Sequence, residues 1–317
     1  MNIEIKKYSE EFKNEWDNFV INESANGNVF HTQNYLCYHP KDRFNDCSIM
    51  LYNKNKLIAV IAAAKTEDGY FSHPGTSGGG PVISKKYYTM KNIIPIIDKI
   101  IEFYNNKISF RLMESFFSVK GNETILYYLY HKYNIYPELS IYKKLDFEDK
   151  FLSIIHSASR SAVRKLHREG YKFQKTGKKE DYEIFYQLLV KNLEKHNTKP
   201  VHTFEEILKL KELLEEKQFL FIARDKTNKI VAATWVIKAT STVWHSQYLV
   251  KDYNVHENGL VDGLLTNCAE YAKNNGADIL SFGISTENRG KYLNLGLISF
   301  KEHLGVNYQN RYILEAK

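Results

Sequence analysis

Two distant stretches of the chain share one pattern of hydrophobic and polar positions. SIMLYNKNKLIAVIAAAK (48–65) and FLFIARDKTNKIVAATWVIK (219–238) each hold two apolar runs separated by a polar turn. Two such runs around a short turn predict a β-hairpin, and runs rich in Ala and β-branched residues are typical of buried strands. The sequence therefore predicts one hairpin in each half of the chain.

The elements around the two hairpins also correspond. Helical spacing predicts a helix before each hairpin, at 9–24 and 179–196. After the first hairpin the pattern predicts strands at 70–73, 107–113 and 139–145, with helices at 88–104 and 122–134. After the second hairpin it predicts strands at 242–250, 277–284 and 308–314, with a helix at 260–276. An α/β unit on a mixed sheet thus occurs twice, and a boundary within 146–150 gives domains 1–147 and 148–317.

This order of elements resembles the GNAT acyltransferase fold, and its duplication resembles the Fem-type aminoacyltransferases and their sugar-modifying relatives. The resemblance is carried by 16–28 with FHTQNY (30–35), SHPGTSGGGPV (72–82), ASRSAVRKLHREGYKF (158–173), FYQLLVKNLEKHNTKP (185–200) and GISTENRGKYLNLGLISFKEHLG (283–305). It implies an α/β fold, of the α+β mixed-sheet kind, with two tandem GNAT-like domains. The first domain is then the acceptor side and the second the acyl-donor side.

The resemblance also implies a function, which is transfer of an acyl or aminoacyl group to an amine of a cell-envelope building block. The expected donor is an acyl-CoA such as acetyl-CoA, and the expected acceptor is a nucleotide-linked amino-sugar or a peptidoglycan precursor. One alternative is an aminoacyl-tRNA donor, as in the Fem-type enzymes. A second alternative is a non-catalytic relative that keeps the fold to bind a ligand.

Three features depart from the Fem-type pattern. Lys195-His196-Asn197 stands where those enzymes usually have Arg-(Asp/His)-Gly, and Tyr35 stands where a tryptophan is expected. The stretch 203–217 predicts one short helix, which leaves no room for the tRNA-binding helical arm of many bridge-forming enzymes. These departures weaken the specific expectation of peptidoglycan bridge synthesis.

Composition narrows the class of protein. The chain is 43% hydrophobic and 26% charged, and neither a membrane span nor the apolar core of a signal peptide is evident, so we expect a cytoplasmic protein without an integral membrane segment. Its 3 cysteines are scattered, which argues against a disulfide framework or a metal site. The net charge of +7 fits either a lysine-rich surface or an anionic partner such as a nucleotide-linked substrate, coenzyme A or tRNA.

Strand 242–250 and the loop around His196 supply the catalytic candidates. Acyl transfer to an amine requires proton removal and stabilisation of an oxyanion, and no Gly-x-Ser-x-Gly elbow occurs in the sequence. Simple alternation places Trp244, Ser246 and Tyr248 on one face of the strand. Tyr248 lies near the strand's C-terminal end, where open α/β sheets bind ligands, and is a candidate for proton transfer. His196, in the loop after helix 179–196, is the other candidate.

Residues of 283–305 are further candidates. Lys301 follows Phe300 and matches the lysine of the family, which implies that it offsets negative charge on the intermediate or on the leaving group. Glu287, Asn288 and Asn294 are candidates for hydrogen bonding to an acceptor, although Glu287 is equally suited to capping the segment locally.

Cationic and glycine-rich segments supply the substrate-binding candidates. Arg160 and Arg164 lie four residues apart on a predicted helix that ends at Gly170, and they are candidates for phosphate binding, with a solvated basic face as the alternative. Lys195 and His202 flank a loop that leads into a Thr203/Glu206 capping box, and such loops line the acceptor site of GNAT units. Gly78 and Gly79 predict close backbone approach to a ligand or to the other domain, with a tight turn as the alternative.

The start of helix 260–276 is the candidate donor site. GNAT units bind the donor pyrophosphate where a strand ends and a helix begins, with free N–H groups and the helix dipole. Asn258 and Gly259 fit that turn, and Gly263 follows one turn into the helix. An ordinary helix start is the alternative, because Glu257 and Asp262 would repel phosphate.

Overall fold

The computed structural model describes residues 1–148 and 150–317, which form two compact units. Unit 1 comprises Met1–Ser140, Thr286–Leu293 and Gln309–Lys317, and unit 2 comprises Ile141–Ser285 and Asn294–Tyr308. The predicted boundary at 146–150 contains Asp149, which lies outside the described residues. Both units include segments from the C-terminal part of the chain, whereas the predicted division at 147/148 assigned all of that part to the second domain.

Helices and strands follow one another along both units. The helices are α1 (Lys13–Asn18), α2 (Gln33–Leu36), α3 (Met90–Phe103), α4 (Glu123–Leu129), α5 (Phe151–Ile154), α6 (Ser157–Arg168), α7 (Lys179–Glu194), α8 (Phe204–Leu214), α9 (Leu260–Asn274) and α10 (Leu295–Glu302). The strands are β1 (Glu4–Lys7), β2 (Asn45–Asp46), β3 (Ile49–Asn53), β4 (Lys56–Ile61), β5 (Ala64–Thr66), β6 (Gly69–Ser72), β7 (Val82–Ile83), β8 (Ile108–Leu112), β9 (Tyr133–Lys144), β10 (Lys172–Thr176), β11 (Gln218–Arg224), β12 (Ile230–Lys238), β13 (Val243–Lys251), β14 (Ile279–Ile284), β15 (Thr286–Glu287), β16 (Tyr292–Leu293) and β17 (Asn307–Ala316). The predicted mixed α/β class is confirmed.

Unit 2 contains five neighbouring strands in the order β10-β11-β12-β13-β14. The first four are antiparallel, whereas β13 and β14 run parallel, with Val243 opposite Ile279. Since parallel neighbours need a crossover connection, the 15-residue helix α9 links them. This arrangement confirms the hairpin and the strand–helix–strand predicted for the second half.

Unit 1 contains the sheet β1-β3-β4-β7 and a second group of strands in which β6 pairs parallel with β8. Helix α3 forms the crossover between those two strands and buries one apolar stripe. Ile93, Ile96, Ile97 and Ile100 recur at helical spacing and are each 0% exposed. The predicted helix over 88–104 is thus held by packing of the face that its periodicity defines.

Three predicted elements differ from those observed. Helix α4 ends at Leu129, short of the predicted 134, and strand β9 begins at Tyr133 instead of 139. The stretch 283–305, predicted as a connection, contains the helix α10, with the Asn294 side chain accepting a hydrogen bond from the Leu297 amide. Its LGLISFKE sequence has only two buried positions, Ile298 and Lys301, so no apolar stripe announces the helix.

The predicted helix ends are confirmed at two positions. Thr203 and Glu206 form a reciprocal capping box at the start of α8. Gly170 follows α6 with a φ of 91°, and the Tyr171 amide donates to the Leu166 carbonyl at 3.0 Å. This six-to-one hydrogen bond across a left-handed residue ends the helix in the way that glycine permits.

Gly263 has a packing role in α9, where a side-chain Cβ at this position would lie 2.8 Å from Cε1 of Phe173 on β10. We expect Gly263→Ala to destabilise unit 2 by roughly 1–3 kcal/mol, because overpacking outweighs the gain of about 1 kcal/mol in helix propensity. Denaturant unfolding measures this change.

Gly296→Ala in α10 is the matched control. The nearest atom to its Cβ is Asn294 Oδ1 at 3.8 Å, so we expect no loss of stability. Equal effects of the two substitutions would contradict the packing role of Gly263.

Candidate active site

A β-bulge at Gln247 determines which side chains of β13 share a face. Trp235 of β12 lies opposite Tyr248, whereas the next residue, Val236, lies opposite Ser246, so Gln247 is the additional residue. Ser246 Oγ lies 2.9 Å from Thr234 Oγ1, and Tyr248 stacks with Trp235 at 6.2 Å. Because Thr234 and Trp235 are adjacent and point to opposite faces, Ser246 and Tyr248 do so as well.

The prediction that Trp244, Ser246 and Tyr248 share one face is therefore wrong. Trp244 stacks on Phe219 at 4.6 Å and contacts Tyr271 of α9. Tyr248 instead lies on the side of α7, with its ring 6.4 Å from that of Phe185. A bulge reverses the alternation, and the sequence alone carries no clear signal of its position.

Tyr248 and His202 form the central pair of the candidate active site. Tyr248 Oη and His202 Nδ1 lie 2.7 Å apart, and the His202 ring meets the Tyr248 ring edge-on. His202 is only 3% exposed, although the sequence places it in a loop. Burial raises the pKa of Tyr248 to about 12, so the phenol keeps its proton at neutral pH.

A buried glutamine fixes the wall behind this pair. Gln218 Oε1 accepts hydrogen bonds from Trp235 Nε1 at 2.9 Å and from Tyr182 Oη at 2.7 Å. Trp235, held in this way, contacts both rings of the Tyr248–His202 pair. Sequence analysis missed Gln218 and Trp235, and a polar residue that opens a strand of apolar residues is the signal that was available.

Lys301 lies at the C-terminal end of β14 with its ammonium enclosed. Nζ donates to the carbonyl oxygens of Phe282 at 2.8 Å and Ile284 at 3.2 Å and to Ser285 Oγ at 2.9 Å. The residue is 5% exposed, and burial lowers the pKa of Lys301 to about 7. Its N–H groups are directed at its own unit, so any effect on a reacting group comes through its charge and through the position of this strand end.

The loop after α7 presents cations rather than a catalytic histidine. His196 is exposed, and the structure does not bring its side chain to the Tyr248–His202 pair. Lys195 Nζ lies 3.6 Å above the ring of Tyr253. A cleft of about 420 Å³ is lined here by Leu188, Lys191, Asn192, Glu194, Lys195, Lys251, Asp252, Tyr253 and Asn254. Lysine charge therefore exceeds carboxylate charge around this cleft.

The predicted donor-binding residues lie at the start of α9. Gly259 is the N-cap with a φ of 82°. Because glycine has no side chain, the amides of the first turn donate no hydrogen bond to a capping side chain. Asn258 is exposed beside it, while Gly263 faces Phe173 and is buried. Glu257, which was expected to repel phosphate, pairs with Lys165 at 3.7 Å.

The remaining predicted residues are dispersed. Arg160 of α6 donates to the Ser153 carbonyl, whereas Arg164 is exposed. Asn288 is in the turn between β15 and β16 with a φ of 48°, Glu287 ends β15, and Asn294 caps α10. None of these positions by itself defines an acceptor site.

Gly78 and Gly79 pack against strands of unit 1. A Cβ on Gly79 would lie 2.6 Å from the Ser72 carbonyl carbon, and one on Gly78 would lie 2.7 Å from Met113 Sδ. Arg311, which sequence analysis missed, holds the same loop by donating to the Ser77 carbonyl and to Glu138, both at 2.7 Å. The close approach expected of these glycines is made to their own unit.

The described residues lack two further kinds of site. Over 1–148 and 150–317, no group of three or more His, Cys, Asp or Glu side chains is arranged to hold a metal ion. Every helix within the same ranges is too short or too polar to span a bilayer.

Burial raises the pKa of the Cys268 thiol, which makes it a poor nucleophile.

Comparison with protein-family models and with curated proteins finds no match for this sequence. Solved structures do match its fold. FemX aligns over 99% of this chain and 97% of its own, with a TM-score of 0.73 at 12% identity. L-PGS from Bacillus licheniformis aligns over 98% and 93%, with a TM-score of 0.63 at 14% identity. A tandem GNAT protein from the clavulanic acid biosynthesis pathway aligns over 99% and 97%, with a TM-score of 0.57 at 8% identity.

These likenesses extend over nearly the whole of each chain. At such low identity they concern the fold, and they confirm the predicted one: the protein shares the fold of FemX and of this tandem GNAT protein.

Proposed function

We propose that the protein is an N-acyltransferase that moves an acetyl or similar acyl group from acyl-CoA to an amine. The acceptor that we propose is a nucleotide-linked amino-sugar or a related cell-envelope precursor. The observation that carries this proposal is the Tyr248–His202 pair at a bulge in β13, with Lys301 enclosed at the end of the neighbouring strand β14. The tandem GNAT-like fold supports it, since proteins with this fold include acyltransferases.

The Tyr248–His202 pair suits proton transfer from an attacking amine. In the proposed step the amine nitrogen bonds to the thioester carbonyl carbon and gives its proton to Tyr248 Oη. The phenolic proton passes at the same time across the 2.7 Å hydrogen bond to His202 Nδ1. When the carbon–sulfur bond breaks, the pair returns this proton to the departing thiolate, so the reaction yields an amide and a free thiol.

Lys301 supports the same step through its charge. Its ammonium is surrounded by backbone carbonyls and a hydroxyl and forms no ion pair with a carboxylate of the described residues. A buried cation without a counter-ion produces a positive potential over a long distance, because the protein interior screens weakly. This potential favours the oxyanion and the departing thiolate, as the family resemblance implies for this lysine.

The ends of the site suit anionic ligands. The first turn of α9 offers backbone amides without a capping side chain, an arrangement that binds phosphate groups. The cleft with Lys191, Lys195 and Lys251 suits the phosphates of a nucleotide-linked acceptor. We assign the first to the donor and the second to the acceptor.

Removal of the phenol tests the proton transfer. Tyr248→Phe keeps the ring that stacks on Trp235 but loses Oη, and we expect kcat to fall by about 10²-fold or more with little change in KM. His202→Gln keeps a hydrogen-bonding group beside Oη but cannot accept the proton, so a similar loss is expected. Steady-state kinetics on purified protein measures both.

Tyr308→Phe is the control, because this exposed tyrosine donates to Glu302 at 2.6 Å on α10. Its kinetics should equal those of the wild type. If Tyr248→Phe also turned over normally while folding as the wild type, the pair would have no part in proton transfer.

Replacement of Lys301 tests the charge. Lys301→Met keeps an unbranched stem and removes the ammonium, and we expect kcat to fall by about tenfold or more. The wild-type to variant ratio of kcat should decline as pH rises through about 7, because the wild type then loses its charge. A ratio that stays constant from about pH 6 to 9 would remove the charge from the mechanism.

The stability of the same variant reports the protonation state of Lys301 without any substrate. The folded pKa of about 7 lies below the ordinary lysine value near 10.4. Between these values the unfolded chain binds a proton that the folded chain does not, so the stability of the wild type relative to Lys301→Met should increase with pH. Urea unfolding across this pH range checks the sign.

Donor identity is tested by ligand-induced stabilisation. Acetyl-CoA at about 100 times its Kd should raise the free energy of unfolding by roughly 2.7 kcal/mol. Stabilisation by charged tRNA alone, falling steeply with salt, would replace the acyl-CoA by an aminoacyl-tRNA donor. Binding of either donor without transfer to any amine acceptor would favour the non-catalytic alternative.

A further inference from the structure

Helix α6 carries several cations, of which some contact other residues of the protein and some do not. Arg160 donates to the Ser153 carbonyl. Lys165 pairs with Glu169 at 3.5 Å and with Glu257 at 3.7 Å. Arg164 and Arg168 are exposed, and neither donates a hydrogen bond to, or forms an ion pair with, another described residue. Two guanidinium groups one helical turn apart are therefore available to a ligand.

The available arginines line a concave part of the surface. Together with Ser161 and His167 they border a cavity of about 430 Å³. The ring of His167 packs edge-on against Phe173 at 5.3 Å, which fixes its orientation. These residues supply two planar guanidinium groups, a hydroxyl and an imidazole, all of which can donate hydrogen bonds to phosphate oxygens.

This surface adjoins the first turn of α9. A Cβ on Gly259, the N-cap of α9, would lie 2.7 Å from Ala162 Cβ of α6, so the two helices touch at this point. Phe173 lies against both His167 of α6 and Gly263 of α9. The open amides of α9 and the arginines of α6 thus belong to one continuous region of unit 2.

We propose that Ser161, Arg164, His167 and Arg168 bind a phosphomonoester at the nucleotide end of the acyl donor, next to the pyrophosphate site at the start of α9. This inference rests on the proposed function, because it takes the donor to be an acyl-CoA. It divides the donor contacts between two helices, with amides for the pyrophosphate and guanidinium groups for the terminal phosphate.

The size and the surroundings of the surface favour a nucleotide over a long nucleic acid. The depression of about 430 Å³ is open to solvent and is bordered by residues of one helix, so it offers room for one phosphate-bearing end of a ligand. Glu169 and Glu257 lie beside it through their pairs with Lys165. Carboxylates at its border disfavour an extended polyanion, which would have to cross them.

Binding of adenosine 3′,5′-bisphosphate to the full chain tests this site without any turnover. We expect Arg164→Gln with Arg168→Gln to weaken Kd by about tenfold or more, since charge-assisted hydrogen bonds are lost. Adenosine 5′-monophosphate should bind the wild type more weakly and be less affected by the double variant. Isothermal titration calorimetry at low and at physiological salt measures all of these constants.

Lys178→Gln with Lys179→Gln is the matched control, because it removes the same two charges from exposed positions at the start of α7, outside the proposed site. It should leave Kd within about twofold of the wild type at physiological salt, where exposed charges are screened beyond about 8 Å. Equal affinity of the wild type and the double arginine variant would overturn the site. Equal weakening by the double lysine variant would do so too, because general charge would then explain the binding.

Two outcomes separate this inference from the proposed function. Acyl transfer from acetyl-CoA with an unchanged KM for the donor in the double arginine variant would refute the phosphate site and leave the acyltransferase intact. Tight binding of an RNA hairpin that the double variant loses, with no binding of the bisphosphate, would overturn the nucleotide as the ligand and the acyl-CoA donor together.

Discussion

The extra residue at Gln247 is the constraint on which the candidate active site depends. It shifts the pairing between β12 and β13 by one position, so that Tyr248 faces the α7 side while Ser246 and Trp244 face the α9 side. Without that shift, the phenol would point into the core beneath α9 and could not meet His202. The bulge costs one ladder position in the sheet, and the strand is held on both sides of it by stacked aromatic rings. The stacked rings on both faces of the strand therefore hold the bulge in place.

The burial of Lys301 is the second unusual feature of the site, since an ammonium without a carboxylate partner is costly to desolvate. Three backbone carbonyls and Ser285 replace its water, and they come from consecutive residues where β14 ends. The lysine thereby fixes the conformation of that strand end. Its pKa near 7 means that a small change in the surroundings, such as a bound anion, shifts it between its charged and neutral forms. Structure and charge are thus coupled in one side chain.

Sequence periodicity predicted most of the fold and only part of the site. The α3 stripe, the hairpins and the α8 capping box follow from local rules, because the residues that define them are close in the chain. The bulge, the burial of His202 and the glutamine that holds Trp235 arise from contacts between distant segments, and alternation alone predicted the wrong face for Tyr248. Glycines were ambiguous for the same reason. Gly263 and Gly79 have no side chain because a ring and a carbonyl occupy the space, a fact that neither neighbour in the sequence reveals.

The net charge of +7 acquires a more specific meaning once each cation is placed. Arg311, Arg160 and Lys301 are engaged by carbonyls or a carboxylate within their own units, so they organise loops and strand ends. Lys165 is neutralised by two glutamates. Among the cations that border concave surface are Arg164 and Arg168 on α6 and the lysines of the cleft beside Tyr253. An excess of positive charge spread evenly over a convex surface would attract any polyanion. Several cations around a concave region, with carboxylates beside them, instead favour a ligand that carries phosphate at particular points, which is the ligand that the proposed function requires.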